Sequence, residues 1–187
     1  MSGKIIVIVA PSGSGKSTLI KKMKDDFPEL VESVSFTTRP PRDGEVDGVH
    51  YNFISKEQFE IMIKDGEFLE WAEVHSNYYG TSKSFVEKQI SSGTDLLFDL
   101  DVQGTDSFKA YFKERAQAIF IAPPSITELE NRLRGRGTES TQVINLRIEN
   151  SKREILRKDD FDFCIVNDDL DRAYKDLKEI VSKILKK

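Results

Sequence analysis

The chain has 187 residues, 38% hydrophobic and 32% charged, with a formal net charge of −4. That length supports one substantial core with small subdomains inserted in it, and a pI near 5.4 argues against a general nucleic-acid binder, which needs a basic surface. The lone cysteine, Cys164, excludes an intrachain disulfide and fits a reducing compartment. Its neighbours, Phe163 and Ile165-Val166, predict burial.

The first element is the apolar run Ile5–Val9, a strand too short to be a signal sequence. No stretch approaches the length of a membrane span, so a cytoplasmic protein is expected. The run leads through Ala10-Pro11-Ser12-Gly13-Ser14-Gly15-Lys16-Ser17-Thr18 into Leu19-Ile20-Lys21-Lys22-Met23. Strand, glycine-rich turn, helix is the context of a phosphate-binding loop. Glycines let several backbone N–H groups converge on one anion, and the helix start adds its positive dipole end. Lys16 suits the β- and γ-phosphates and the Ser17 hydroxyl suits Mg²⁺. The full pattern places glycine where this chain has Ala10, so a slightly altered loop geometry is expected.

Residues 35–82 break the alternation of strand and helix. Pro40, Pro41, Gly44, Gly48 and Gly80 punctuate aromatic and β-branched runs. Tyr51–Ile54 and Phe68–Val74 predict strands, and Ser55-Lys56-Glu57-Gln58 between them is a capping-box start for a short helix. Arg39 and Arg42 frame two prolines that stiffen the segment. With two tyrosine hydroxyls they could clamp one phosphate monoester, since guanidinium matches phosphate bidentately. Surface arginines on a proline loop are the alternative.

Leu96–Leu100 is an apolar strand that ends in carboxylates, Asp99 and Asp101. An acidic residue at such a strand end organises the metal and its waters in phosphate-loop enzymes. Ala118–Ala122 and Phe163–Val166 predict further strands of a buried parallel sheet. Between them, residues 125–157 are helical, opening on the cap Ser125-Ile126-Thr127-Glu128 and carrying six arginines, among them Arg132, Arg136 and Arg147. Ala173, Leu177, Ile180, Val181, Ile184 and Leu185 share one face of a closing helix. The pattern predicts an α/β fold: a doubly wound, mostly parallel sheet with a phosphate loop, a small mostly-β insertion and a helical lid. One domain spans 1–187, with core segments 1–34, 83–124 and 158–187, an insertion at 35–82 and a lid at 125–157.

Val34–Arg42, Tyr51-Asn52-Phe53, Glu70-Trp71, Tyr78-Tyr79-Gly80-Thr81 and Asp99-Leu100-Asp101-Val102-Gln103-Gly104 resemble guanylate kinases. So do Ile121–Ser125, Arg132-Leu133-Arg134-Gly135-Arg136-Gly137-Thr138 and Val166-Asn167-Asp168, in order along nearly the whole chain. The resemblance implies phosphoryl transfer from ATP to GMP, and to dGMP, with Mg²⁺ as cofactor. It implies an ATP site of Ser12, Gly13, Ser14, Gly15, Lys16, Ser17, Thr18, Arg132, Arg136 and Asn167. It implies a GMP site of Ser35, Arg39, Arg42, Tyr51, Glu70, Tyr79, Gly80, Thr81, Asp99 and Asp101. Lys16, Arg39, Arg42, Arg132, Arg136 and Arg147 would be catalytic. Ser17 and Asp99 would serve the metal, directly or through water. Small-molecule substrates are the implied partners, with no nucleic acid and no membrane, and the oligomeric state stays open.

The chemistry of these residues agrees. A carboxylate such as Glu70 accepts from guanine N1–H and the 2-amino group together, and Ser35 or Thr81 can donate to O6. The acceptor phosphate is already largely ionised near neutral pH, so no general base is needed, and His50 and His75 have no obvious catalytic partner. Two alternatives remain at this stage: a guanylate-kinase-like module that binds protein ligands, and a kinase for another nucleoside monophosphate.

Overall fold

The computed structural model describes residues 2–74, 76–135 and 140–186. Arg136, Gly137, Thr138 and His75 lie outside the described residues.

Two sheets organise the chain. The first has five parallel strands: β1 (Ile5–Val9), β2 (Val31–Glu32), β7 (Leu96–Leu100), β8 (Ala116–Ala122) and β9 (Phe163–Val166), in the order β2-β7-β1-β8-β9. β1 lies at the centre, which is why all five of its residues are apolar and fully buried. Its side chains alternate between two cores. Ile5, Val7 and Val9 pack with Val86 and Ile90 of α3 (Lys83–Ser91) and Phe108 and Phe112 of α4 (Val102–Phe112). Ile6 and Ile8 pack with Leu19 and Met23 of α1 (Lys16–Asp26) and Ala173, Leu177 and Val181 of α7 (Leu170–Leu185). The C-terminal apolar face read from the sequence is therefore the cover of the second core. Among the described residues, no helix is long and apolar enough to cross a membrane.

The sequence reading needs two corrections here. β2 is a two-residue strand that propensity does not announce; it exists because its backbone pairs with Leu96 and Leu97 of β7. Cys164 is exposed, not buried. β9 is an edge strand, so one face of it stays open, and only Ile165 of its four residues is buried.

The second sheet has four strands in the order β4-β3-β6-β5: β3 (Phe36–Thr37), β4 (Asn52–Phe53), β5 (Phe68–Val74) and β6 (Asn77–Ser82). β3 and β6 are the central strands: β6 pairs antiparallel with β3 on one side and with the edge strand β5 on the other, while β3 and β4 run parallel. The strand expected at Tyr51–Ile54 is only Asn52–Phe53. α2 (Lys56–Lys64) covers the sheet, and its capping box is complete, with Ser55 Oγ accepting from Gln58 N–H and the Gln58 side chain accepting from Ser55 N–H. Phe59 of this helix stacks on Phe68 and Tyr78 at 4.2 and 5.2 Å. Gly80 of β6 faces that cluster. A Cβ there would sit 2.9–3.0 Å from Phe68, Phe59 and the Glu70 carbonyl, so close packing requires the glycine.

α5 (Ile126–Gly135) and α6 (Thr141–Ile155) close a small core of Leu129, Leu133, Ile144 and Ile148. Ser125 caps α5 by accepting from Glu128 N–H. The turn before α1 packs directly under this pair, with the Leu133 side chain 3.2 Å from where a Gly13 Cβ would stand.

Candidate active site

β1 ends at Val9 in the middle of the sheet, and the chain then turns through residues 10–15 into α1. The loop lines a cavity of about 370 Å³ with Lys16, Ser17, Thr18, Asp101 and Glu154. Gly13 and Gly15 adopt φ of +92° and +87°, a conformation that residues with a Cβ rarely adopt, while Ala10 is not among the residues with positive φ. The alanine therefore occupies a position that makes no demand for glycine.

Charged groups close around this loop. The Lys16 ammonium contacts the Asp99 carboxylate and donates to the Leu100 carbonyl at 3.4 Å, so the lysine bridges the start of α1 to the end of β7. Arg147 of α6 donates to Ser12 Oγ at 2.7 Å. The Ser14 hydroxyl is fully buried and has no hydrogen-bond partner among the described residues. Asn167 is 4% exposed. Its side-chain amide donates to the Ser14 carbonyl at 2.7 Å, and its backbone carbonyl accepts from both terminal nitrogens of Arg132 at 3.2 Å. Asn167 thus braces the loop from behind and ties it to α5, an orientation the sequence does not reveal.

The residues near Ser17 suit one kind of ion. Ser17 is exposed at the first turn of α1, and the Asp99 carboxylate contacts Lys16, which lines the same cavity. Among the described residues, no group of three His, Cys, Asp or Glu side chains could cage a metal. An ion here would draw on one hydroxyl, one carboxylate, phosphate oxygens and water, which is the habit of Mg²⁺.

The second sheet gathers a different set. Arg39, after β3, forms a two-pronged ion pair with Glu45 at 2.6 and 2.7 Å. Its guanidinium lies over the rings of Tyr51 and Phe53, 5.0 and 5.5 Å from their centroids. Tyr79 packs edge-on against Tyr51 at 6.0 Å and adds to the forces that raise the Arg39 pKa, of which the Glu45 bond is the largest. Arg39, Tyr51 and Tyr79 therefore share one corner. Arg42 is exposed on the adjoining loop, with its backbone N–H bonded to Glu45.

A second pocket, about 340 Å³, opens between β5 and α4 and is lined by Glu70, Trp71, Asp101, Gln103 and Gly104 among others. Thr81 Oγ1 donates to Glu70 Oε1 at 2.7 Å across the β5–β6 ladder, where the two residues are register partners. Burial raises the Glu70 pKa above its ordinary value; the Thr81 bond opposes this and the charge of Asp101 adds to it. Asp101 caps α4 by accepting from Gly104 N–H at 2.7 Å. It lines this pocket and the loop cavity alike, so the two adjoin. Ser35 stands just before β3, its carbonyl accepting from Asn52 N–H; no bond from its hydroxyl to Glu70 or Thr81 is present among the described residues.

Sequence reasoning missed two carboxylates. Glu45 is one. The other is Glu154 of α6, which lines the loop cavity and whose pKa is raised by burial and by Asp101 while Lys16 lowers it. Neither sits in a motif; each reaches the site only through the path of its loop or helix.

Comparison with known proteins extends over the whole chain. The family model described as "Guanylate kinase" matches residues 2–184. The chain is 49% identical to the guanylate kinase of Sulfurimonas denitrificans over 179 residues, covering 96% of this chain and 87% of that one. It is 47% identical to that of Bacteroides thetaiotaomicron over 188 residues, covering 100% and 92%. A crystal structure of guanylate kinase from Anaplasma phagocytophilum superposes with a TM-score of 0.69 at 31% identity, covering 97% and 86%.

Proposed function

The chain belongs to the guanylate kinase family, and from that premise we propose that it transfers the γ-phosphoryl group of ATP to GMP, giving ADP and GDP. The observation that carries the specificity is the buried Glu70–Thr81 pair in the pocket that adjoins the phosphate loop. An ionised carboxylate held by one hydroxyl keeps acceptor capacity for a donor–donor edge, which guanine has and adenine lacks. Polar groups left unpaired in such a site give discrimination of about 10⁴ in favourable cases.

In this reading residues 35–82 bind the acceptor, residues 125–157 form the lid and the remaining segments are the core. Arg39, Arg42, Tyr51 and Tyr79 hold the acceptor phosphate. The backbone of residues 12–18 and Lys16 hold the donor phosphates, and Arg132, Arg136 and Arg147 bring lid charge to them. Ser17 and Asp99 would hold Mg²⁺, which when bound supplies Lewis-acid neutralisation of the phosphate oxygens. An oxygen of the acceptor phosphate attacks the γ-phosphorus as the bond to the ADP oxygen breaks, and no side chain needs to take a proton. The work is positioning and charge neutralisation between two anionic chains. A cytoplasmic location suits the exposed free thiol of Cys164.

Retention of Lys16 and Ser17 in the loop cavity, with Arg147 bonded to Ser12 and Arg132 bonded to Asn167 behind the loop, speaks against a module that only binds protein ligands. A coupled assay of ADP formation with GMP, dGMP, AMP, CMP and UMP tests the proposal. Turnover with GMP far above AMP is expected, and equal turnover with AMP would defeat it.

A further inference from the structure

Glu45 carries no role in the chemistry just described, yet it is one of the most heavily bonded carboxylates in the molecule. Its two oxygens accept from Arg39 Nη1 and Nη2 at 2.6 and 2.7 Å, and Oε2 also accepts from Arg42 N–H at 2.8 Å. Its own N–H donates to the Arg42 carbonyl at 3.0 Å, closing the loop on itself. The paired side chains are only 10% and 18% exposed. The two arginine contacts hold the Glu45 carboxyl at about 2, far below its ordinary range, so it is charged at every working pH.

We propose that Glu45 is a positioning residue for the acceptor phosphate, fixing the direction of Arg39 and the path of the loop that carries Arg42. The inference rests on the reading that the Arg39–Tyr51–Tyr79 corner takes that phosphate. A guanidinium has five N–H donors. Glu45 and the Pro40 carbonyl engage one end of the fork, through Nη1 and Nη2. None of these three bonds uses Nε, so a second anion would be received side-on at the edge formed by Nε and Nη2, together with Tyr79, which also bonds the guanidinium. The Tyr51 and Phe53 rings, their centroids 5.0 and 5.5 Å from the guanidinium carbon, confine it further. Arginine otherwise loses considerable rotamer freedom when it binds an anion; here Glu45 has already imposed that order. The same carboxylate anchors the Arg42 backbone, so both arginines are referred to one point.

A competing anion would behave differently. If Glu45 merely occupied Arg39, removing its charge would strengthen phosphate binding. Calorimetric titrations with GMP and with guanosine on the wild type, Glu45→Gln and Glu45→Asp separate these cases, together with KM for each substrate and kcat. Glu45→Gln is expected to weaken GMP and raise its KM by about threefold to thirtyfold, leaving guanosine affinity and the KM for ATP within about twofold. Glu45→Asp keeps the charge with a shorter reach and should fall between. Unchanged guanosine affinity also shows that the second sheet has folded. GMP affinity that is unchanged or higher in Glu45→Gln, or an equal loss for GMP and guanosine, overturns the inference. A wild type that binds GMP no tighter than guanosine defeats the phosphate reading of this corner, and the inference with it.

Discussion

The phosphate loop and the second sheet solve the problem of holding a nucleotide in opposite ways. The loop offers backbone: contiguous residues, two glycines at positive φ, a helix start, and a buried amide from Asn167 that braces the peptide from behind. The second sheet offers side chains drawn from separate strands and loops, held by pairs such as Arg39–Glu45 and Thr81–Glu70. A backbone site should tolerate side-chain changes except where geometry or the lysine is touched. A side-chain site should be sensitive at each member and tunable for specificity.

The largest effect should come from the one side chain the loop cannot spare. Lys16→Ala is expected to lower kcat by about 10²–10³-fold, the range for removing one preorganised charge partner in a transition state. GMP affinity and circular dichroism should stay unchanged. Near-normal turnover would break the comparison by making the loop pure backbone.

On the other side, Glu70→Gln replaces one acceptor oxygen by a donor. Losing a charge-assisted bond costs about 1.5–3 kcal/mol, so kcat/KM for GMP should fall by about tenfold to a hundredfold. AMP should lose much less, and the GMP/AMP ratio should narrow. IMP lacks the 2-amino group, so it should start below GMP and lose less than GMP does. Equal losses for the three would remove Glu70 from recognition.

Gly15→Ala tests the backbone half. The added Cβ would stand 2.3 Å from Asn167 Nδ2 at a φ of +87°, a strain of about 1–3 kcal/mol. The melting temperature should drop and the KM for ATP should rise about tenfold, with the KM for GMP little changed. Adding Asn167→Ala should relieve the clash but not the φ strain, so rescue should be partial. The same logic makes Ala10→Gly nearly silent: about twofold or less in KM for ATP, and a small loss of stability from the freer unfolded chain.

Two glutamates of residues 35–82, Glu45 and Glu70, sharpen the contrast by pH. Glu45 is held at about 2 against an ordinary 4.5, so its stabilising contribution is full above 4.5 and drains away as the pH falls from there toward 2. Glu70 shifts the other way. The folded chain binds its proton more tightly than the unfolded chain does, so stability is lost as the pH rises from 4.5 through the raised value. Glu70→Gln should therefore melt slightly above the wild type at neutral pH, and the gap should close below 4.5. A variant that melts lower at neutral pH would mean that Glu70 is already satisfied without a ligand.

The same contrast explains what could be read in advance. The loop, its flanking strand and helix, and the capping box at Ser55 are local, so spacing alone revealed them. β2 and the exposure of Cys164 depend on which strand lies at a sheet edge, and no local pattern encodes that. The resemblance named Asn167 as an ATP residue, but its aim at the Ser14 carbonyl emerges only when β9 is laid beside β8. Glu45, just after Asp43-Gly44, carries no local signal, because its partners are set by how the proline loop folds back.

The central place of β1 has a consequence for how the protein is born. The strand that carries the phosphate loop leaves the ribosome before its neighbours β7 and β8, and the brace from Asn167 is 153 residues downstream of Ser14. Contacts so distant in sequence form late and slowly. A nascent chain with β1 and α1 already outside the exit tunnel has the whole nucleotide-binding motif and no platform to hold it. ATP can find a braced cradle only after Asn167 has been made, so the nucleotide can stabilise the assembled sheet but cannot guide its early steps.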